Sequence, residues 1–231
     1  MALRISEYFY SIQGEGRTMG VPSVFVRLQA CNILCKGEWV CDTIEVWKTG
    51  NKHSSEEFLE MIDEFVPNLK KGAHLIFTGG EPIIQKKGVL EAINLFEEKY
   101  KFKPYIEIET NGTLSPGKEL SEKIDLFNCS FKLENSGVRY DRRIKIDVLK
   151  ELLNYNTIFK IVIGNEKDYK EAKLIFDEVG IENKNIYLMP QAEDINELTN
   201  NQNVVSDICK NESVNFSTRM QIVLWNKTTG V

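Results

Sequence analysis

Three cysteines, Cys31, Cys35 and Cys41, crowd into one short stretch of a 231-residue chain that holds only five. Thiolates are soft ligands for iron and zinc. A structural zinc site closes with four protein ligands. The only histidines here are His53 and His74; His53 could supply a fourth ligand, but no second Cys-x2-Cys exists. Three thiolates alone leave one metal position open. In a [4Fe–4S] cluster that position is an iron able to bind a cofactor or substrate. On spacing, cluster, zinc and metal-free thiols remain open, with the cluster favoured. Cys129 and Cys209 sit singly in apolar segments and read as core filler. An odd count without a secretory pattern argues against a disulfide framework.

The cysteine loop follows the apolar run 23–29, the first of six expected strands. The others are 74–79, 105–110, 125–131, 158–164 and 185–190. Amphipathic helices are expected over 54–66, with Ser54 or Ser55 as N-cap, and over 89–100, 144–154 and 168–179. A last strand is expected at 220–225. Alternation of this kind predicts an α/β fold with a parallel sheet. No Gly-x-Gly-x-x-Gly follows the first strand, so a dinucleotide-binding sheet loses support and a partial (β/α) barrel gains it. In barrels the chemistry gathers at the C-terminal strand ends. Arg27–Gln29, Thr78–Glu81, Glu109–Asn111, Ser130–Lys132 and Met189–Gln191 all fall at such ends, which points to one shared site.

Several of these positions carry two readings. Strand alternation puts Phe25, Arg27 and Gln29 on one face. A guanidinium turned into a barrel needs an anion, either a ligand carboxylate or an internal ion pair. Gly79 and Gly80 would let a ligand approach the backbone closely, or would simply make a turn. Ser130 and Lys132 share a face, which suits an anion or a solvated strand end. Ile12–Glu15 is either a polar recognition stretch or the turn of an N-terminal hairpin.

Bulk properties narrow the class. Hydrophobic residues make up 42% and charged residues 27% of the chain, with a net charge of −5. No Lys/Arg block is long enough to track a phosphate backbone, so a small-molecule substrate is expected rather than nucleic acid. No apolar run reaches the roughly 18–20 residues of a membrane span. The N-terminal stretch has no basic region followed by an apolar run, which leads to the expectation of a cytoplasmic protein. One domain over 1–231 is expected.

The segment CNILCKGEWVCDT resembles the cluster loop of radical S-adenosylmethionine (SAM) enzymes. With SIQGEG (11–16), FVRLQACN (25–32), FTGGEP (77–82), IETNGT (108–113), SFKLENSG (130–137), IYLMPQAE (186–193) and RMQIVLWNKTTGV (219–231), the chain is similar nearly end to end to the 7-carboxy-7-deazaguanine synthase family. The resemblance implies a radical SAM partial barrel of about six parallel strands. It implies conversion of 6-carboxy-5,6,7,8-tetrahydropterin to 7-carboxy-7-deazaguanine with loss of ammonia, in deazapurine or queuosine precursor biosynthesis. A [4Fe–4S] cluster would sit on Cys31, Cys35 and Cys41. Arg27 would hold the substrate carboxylate, with Ile12, Gln13, Gly14, Glu15, Thr78 and Val231 as further substrate contacts. Gly79, Gly80, Glu81, Glu109, Thr110, Asn111, Ser130, Phe131, Lys132, Met189, Pro190, Gln191 and Ala192 would bind SAM. Thr43 would ligate Mg2+, its bland alternative being a helix cap or turn. A flavodoxin- or ferredoxin-like electron donor and a homodimer are implied. Two departures stand out. Five residues separate Cys35 from Cys41 where the family has two, and Gln221 stands where many members have histidine, so no proton transfer is carried to it. The rival readings are another radical SAM enzyme, such as a glycyl-radical activase, and a zinc-stabilised binding module.

Overall fold

The structure, a computed structural model, describes residues 2–41 and 43–228. In chain order its elements are β1 (Ala2–Ile12), β2 (Pro22–Leu28), α1 (Ile44–Trp47), β3 (Asn51–Ser54), α2 (Ser55–Ile62), α3 (Val66–Lys70), β4 (His74–Gly79), α4 (Lys86–Tyr100), β5 (Tyr105–Thr110) and α5 (Lys118–Ser121). These are followed by β6 (Leu126–Cys129), α6 (Tyr140–Arg143), α7 (Ile146–Leu152), β7 (Thr157–Ile163), α8 (Glu166–Val179), β8 (Ile186–Pro190), α9 (Ile195–Glu212), β9 (Asn215–Phe216) and α10 (Met220–Trp225). One sheet runs β3-β1-β2-β4-β5-β6-β7-β8-β9. From β2 to β9 neighbouring strands are parallel, while β1 is antiparallel to both β2 and β3. The sheet stays open, with β3 and β9 at its edges.

The six expected strands appear as β2 and β4 to β8, and period-2 alternation sorts their side chains cleanly. Val24, Val26, Leu28, Leu75, Phe77, Ile106, Ile108, Phe127, Phe159, Ile161, Ile163 and Leu188 face the helices in one core. Burying such a side chain contributes about 1.5–3 kcal/mol. Parallel strands covered on both sides are normally apolar on both faces. Here the other face carries Arg27, Thr78, Glu107, Glu109, Asn128 and Lys160. That polar row marks the concave side of a partial barrel.

The helices follow their local chemistry. Ser54 caps α2 in a reciprocal box with Glu57, and Phe58, Leu59 and Ile62 bury its apolar stripe. The expected helix 54–66 breaks after Ile62 into a 3-10 turn and α3, because Pro67 opens α3 and has no N–H for a continuous ladder. Asn165 caps α8, and Gly180 (φ 86) ends it in the left-handed conformation.

The expected strand at 220–225 is helix α10 instead. The open edge of β8 is already paired by Asn215–Phe216, so the run has no strand partner. Only Ile222 turns inward, onto Ala192 and Leu198, while Val223 and Leu224 are exposed. Strands β1 and β3 and helix α9 were absent from the sequence expectation. The β1 pattern was readable: Leu3 and Ile5 are buried between half-exposed neighbours.

Candidate functional site

The cysteine loop hangs from the C-terminal end of β2. Ala30 starts it in a left-handed conformation (φ 76) that L-residues avoid. It is held there because its N–H donates to the Trp47 carbonyl and its own carbonyl accepts from the Glu81 N–H. The Cys41 amide donates to the Cys35 carbonyl at 3.2 Å, closing the loop. Cys35 is buried, Cys31 and Cys41 are half-buried, and none of the three is in a disulfide. Burial, the largest influence, pushes the Cys31 thiol up, while the Ile33 amide and the Lys132 ammonium oppose it. Asn111 Nδ2 points at Cys31 Sγ from 3.8 Å. Three soft donors on one loop, none of them in a disulfide, fit an iron–sulfur cluster that leaves an iron open. His53 lies on edge strand β3, 4.0 Å from Glu57. Among the described residues, no three His, Cys, Asp or Glu side chains converge on a single-ion position.

Beside the loop, Gly79 and Gly80 end β4. A Cβ on Gly79 (φ 129) would meet the Leu28 carbonyl oxygen at 2.2 Å, and one on Gly80 would meet the Ala30 oxygen at 2.0 Å. The glycines are therefore required for close packing of this strand end against the cysteine loop, whatever ligand also approaches them. Glu81 is fully buried and accepts from Ile83 N (3.0 Å), Asn111 N (2.7 Å) and Thr110 Oγ1 (2.9 and 3.0 Å). Burial raises its carboxyl to about 6 against these opposing hydrogen bonds. The sequence placed Glu81 and Thr110 among ligand contacts. The two side chains hydrogen-bond to each other, stapling the ends of β4 and β5.

A second cluster fills the concave face. The loop between β1 and β2 folds over it, as the hairpin reading of 12–15 expected, and carries Gln13 and Glu15 into it. Glu15 meets Lys160 Nζ at 2.6 Å, Arg219 Nε at 3.2 Å and Gln221 Nε2 at 2.7 Å. Lys160 also reaches Glu109 at 3.3 Å, and Glu109 accepts from Thr78 Oγ1 (2.8 Å) and Gln13 Nε2 (3.3 Å). Burial acts to raise the Glu15 carboxyl, but Lys160 and Arg219 outweigh it and hold the group far below the carboxylate range. Burial likewise acts to lower Lys160, and Glu109 and Glu15 hold it well above the usual lysine value. Both stay charged at any physiological pH.

Arg27 turns to the same face, where its Nε donates to Glu7 Oε1 at 2.7 Å. The internal ion pair is therefore present. Its two Nη nitrogens carry no hydrogen bond among the described residues, leaving the outer fork free for a second carboxylate. Gly14 is buried and Ile12 half-buried at the head of this loop.

Ser130 and Lys132 lie just beyond β6, and Lys132 Nζ donates to Ser130 Oγ at 3.1 Å. Phe131 between them turns away into the core against Phe159 and Phe176, so only its backbone can face a ligand. Met189 lies on the concave face and Pro190 ends β8. Gln191 N donates to the Ile163 carbonyl, and Arg219 Nη1 donates to the Ala192 carbonyl. Thr43 occupies the N-cap position of α1 without capping it; its hydroxyl lies 3.5 Å from Cys41 Sγ. Val231 lies outside the described residues.

Sequence reasoning missed Lys160, Glu7, Arg219 and Glu107 as members of these clusters. Lys160 had a signal, being the one charge inside the apolar run IFKIVI. Buried Glu107 accepts from His74 Nδ1 (2.6 Å), Asn128 Nδ2 (2.6 Å) and Thr18 Oγ1 (3.1 Å), deeper on the same face.

The family described as a 4Fe-4S single cluster domain matches residues 12–129. A 7-carboxy-7-deazaguanine synthase of Halobacterium salinarum is 30% identical over 97% of this chain and 91% of its own length. One from Clostridium acetobutylicum is 32% identical over 98% and 97%. The crystal structure of QueE from Escherichia coli superposes with a TM-score of 0.67 at 23% identity, covering 95% of each chain. That likeness shows the fold, an open partial (β/α) barrel with a mostly parallel sheet.

Proposed function

The chain belongs to the 7-carboxy-7-deazaguanine synthase family, and from that premise we propose how its residues divide the work of this radical SAM enzyme, with 6-carboxy-5,6,7,8-tetrahydropterin as substrate and 7-carboxy-7-deazaguanine and ammonia as products. The observation that carries the reading is three thiols outside any disulfide, on one loop at the mouth of a polar-faced partial barrel. Cys31, Cys35 and Cys41 would hold the cluster, which would supply one-electron reduction of SAM and so the radical chemistry of the reaction.

The chain's own residues bind, orient and exclude water. The Arg27 Nη fork takes the substrate carboxylate in a bidentate grip, with Glu7 fixing the other edge of the guanidinium. Glu15, kept ionised by Lys160 and Arg219, and Glu109, paired with Lys160, accept from the amine and amide edge of the pterin, and Gln13 and Thr78 complete that edge. Ser130 and Lys132 take the SAM carboxylate. The backbone of Gly79 and Gly80 would take the SAM amino group, Asn111, beside Cys31, would add a polar contact to SAM, and Met189–Ala192 would flank the adenine. Glu81 and Thr110 act as positioning residues. Thr43 offers its hydroxyl to Mg2+, which tolerates a single protein oxygen and several waters, and Val231 contacts substrate. A single domain, a homodimer, an external flavodoxin- or ferredoxin-like donor and a cytoplasmic location complete the proposal. Among the described residues, no helix is long and apolar enough to cross a membrane.

The test is anaerobic reconstitution followed by incubation with reductant, SAM, Mg2+ and the carboxypterin alone. The expected result is formation of the deazaguanine acid without a protein substrate. Cys35→Ala should lose both the visible iron–sulfur absorbance and turnover. Full iron, sulfide and activity in that variant would overturn the ligand assignment.

A further inference from the structure

Residues 36–40, the bulge between the second and third cysteines, make contacts outside the cysteine loop. Lys36 and Val40 pair as a small antiparallel bridge. The tip then docks on the turn that follows β6. Lys36 N donates to the Ser136 carbonyl at 3.1 Å and Glu38 N to the Asn135 carbonyl at 2.8 Å. Trp39 Nε1 donates to Asn135 Oδ1 at 3.1 Å. Gly37 is needed for this fit, because a Cβ there would meet the Asn135 carbonyl oxygen at 2.2 Å. The Trp39 indole also places a ring face 5.9 Å from Lys132 Nζ.

Lys132 is thus bounded on one side by an aromatic face and on another by the Ser130 hydroxyl, and its ammonium has no carboxylate partner among the described residues. A long flexible side chain loses rotamer entropy when it is fixed. Lysine fixed in advance by a ring face and a hydroxyl binds an anion without meeting that cost at the moment of binding. A two-residue spacing between Cys35 and Cys41 could not form the Lys36–Val40 bridge whose tip sits on Asn135.

We infer that the 36–40 bulge is a brace in which Trp39, seated on Asn135, pre-positions Lys132 for the carboxylate of SAM. The inference rests on the assignment of Lys132 to that carboxylate. Trp39 is a positioning residue, and its effect is on the amino-acid half of the cofactor and not on the nucleoside half.

Two non-cleavable probes separate those halves: S-adenosylhomocysteine, which has the amino acid, and 5′-methylthioadenosine, which lacks it. Both are titrated against the reconstituted full chain. Trp39→Ala should weaken S-adenosylhomocysteine about tenfold, the scale of one impaired charge-assisted contact, with 5′-methylthioadenosine unchanged within about twofold. Iron and sulfide per chain should stay at the wild-type level. Trp39→Phe keeps a ring face and should recover most of the affinity. Lys132→Met is the control and should weaken S-adenosylhomocysteine alone.

If Trp39→Ala leaves S-adenosylhomocysteine binding unchanged while Lys132→Met weakens it, the brace is wrong and the lysine assignment stands. Equal weakening of both probes, or loss of iron in step with affinity, also overturns the brace, because the bulge would then support the loop as a whole. If Lys132→Met leaves S-adenosylhomocysteine binding intact, the carboxylate assignment fails and the brace falls with it.

Discussion

Two carboxylates, Glu81 fully buried and Glu15 largely covered, are treated in opposite ways. Glu81 is surrounded by neutral donors, the Ile83 and Asn111 amides and the Thr110 hydroxyl, and burial lifts its carboxyl to about 6. Glu15 is met by Lys160 and Arg219, which hold it far below the usual range despite burial. Neutral hydrogen bonds satisfy lone pairs without fully offsetting the desolvation of a charge. Opposite charges at 2.6–3.2 Å do offset it. The first arrangement suits a staple between two strands, where geometry matters and charge does not. The second suits a fixed negative acceptor that must survive in a concave, ligand-facing surface.

The sharpest way to break the contrast is to remove the cation. Lys160→Met would leave Glu15 and Glu109 without their shared buried partner, and removing one side of such a network costs about 3–5 kcal/mol. Urea denaturation of the metal-free chain measures it. Adding Glu15→Gln to Lys160→Met should recover part of the loss, since the stranded charge goes with it. Additive losses would mean that the two side chains do not interact as their 2.6 Å separation indicates.

Next in size is the staple. Glu81→Ala strands two backbone amides and a hydroxyl in a buried pocket, a loss of about 2–4 kcal/mol, reduced because the ionised carboxylate was itself poorly placed. Its pH dependence separates it from Glu15. The folded-state pKa of Glu81 is raised from 4.5 to about 6, so its contribution is full below 4.5 and falls as pH rises through 6. The fall amounts to about 2 kcal/mol over that window. Glu15 has the opposite sign: its lowered pKa contributes stability above the unfolded-state value, lost only as pH drops below it. Melts of wild type and Glu81→Ala across this range should therefore converge as pH rises. A constant gap between them would contradict the raised pKa.

The parts of this contrast that lay in the sequence were local. Six apolar runs of strand length became β2 and β4 to β8, and alternation placed Arg27 on the concave side. The three thiols and the Gly79–Gly80 turn were visible as residue types at spacings. Partnership across the fold was not visible. FTGGEP presents its glutamate as a ligand contact, and only the approach of Thr110 and Asn111 from β5 shows the carboxylate fully engaged. Lys160 gave a warning as a charge inside an apolar strand, but its partners are 145 and 51 residues away. The run at 220–225 had strand composition, yet the edge it would have joined was occupied by Asn215–Phe216. Trp39 and Asn135 are 96 residues apart, so nothing near the bulge announced its anchor.

The smallest effect concerns Gln221, and it tests how much of the Glu15 site depends on charge alone. Its Nε2 donates to Glu15 at 2.7 Å, a bond to an ionised acceptor. Its Oε1 is buried with no partner. A hydrogen bond to a charged group contributes about 1.5–3 kcal/mol, and an unsatisfied buried acceptor costs about 1–3 kcal/mol, so the two nearly cancel within one side chain. Gln221→Ala should therefore change stability by less than about 1 kcal/mol, while Glu15 keeps Lys160 and Arg219. Carboxypterin affinity of the reconstituted chain gives the second readout. If the orphaned oxygen is an acceptor waiting for a pterin N–H, affinity should fall while stability stays level. If both stay level, the amide only fills space between Gly14 and Glu15, and the two cations alone set the charge of the site.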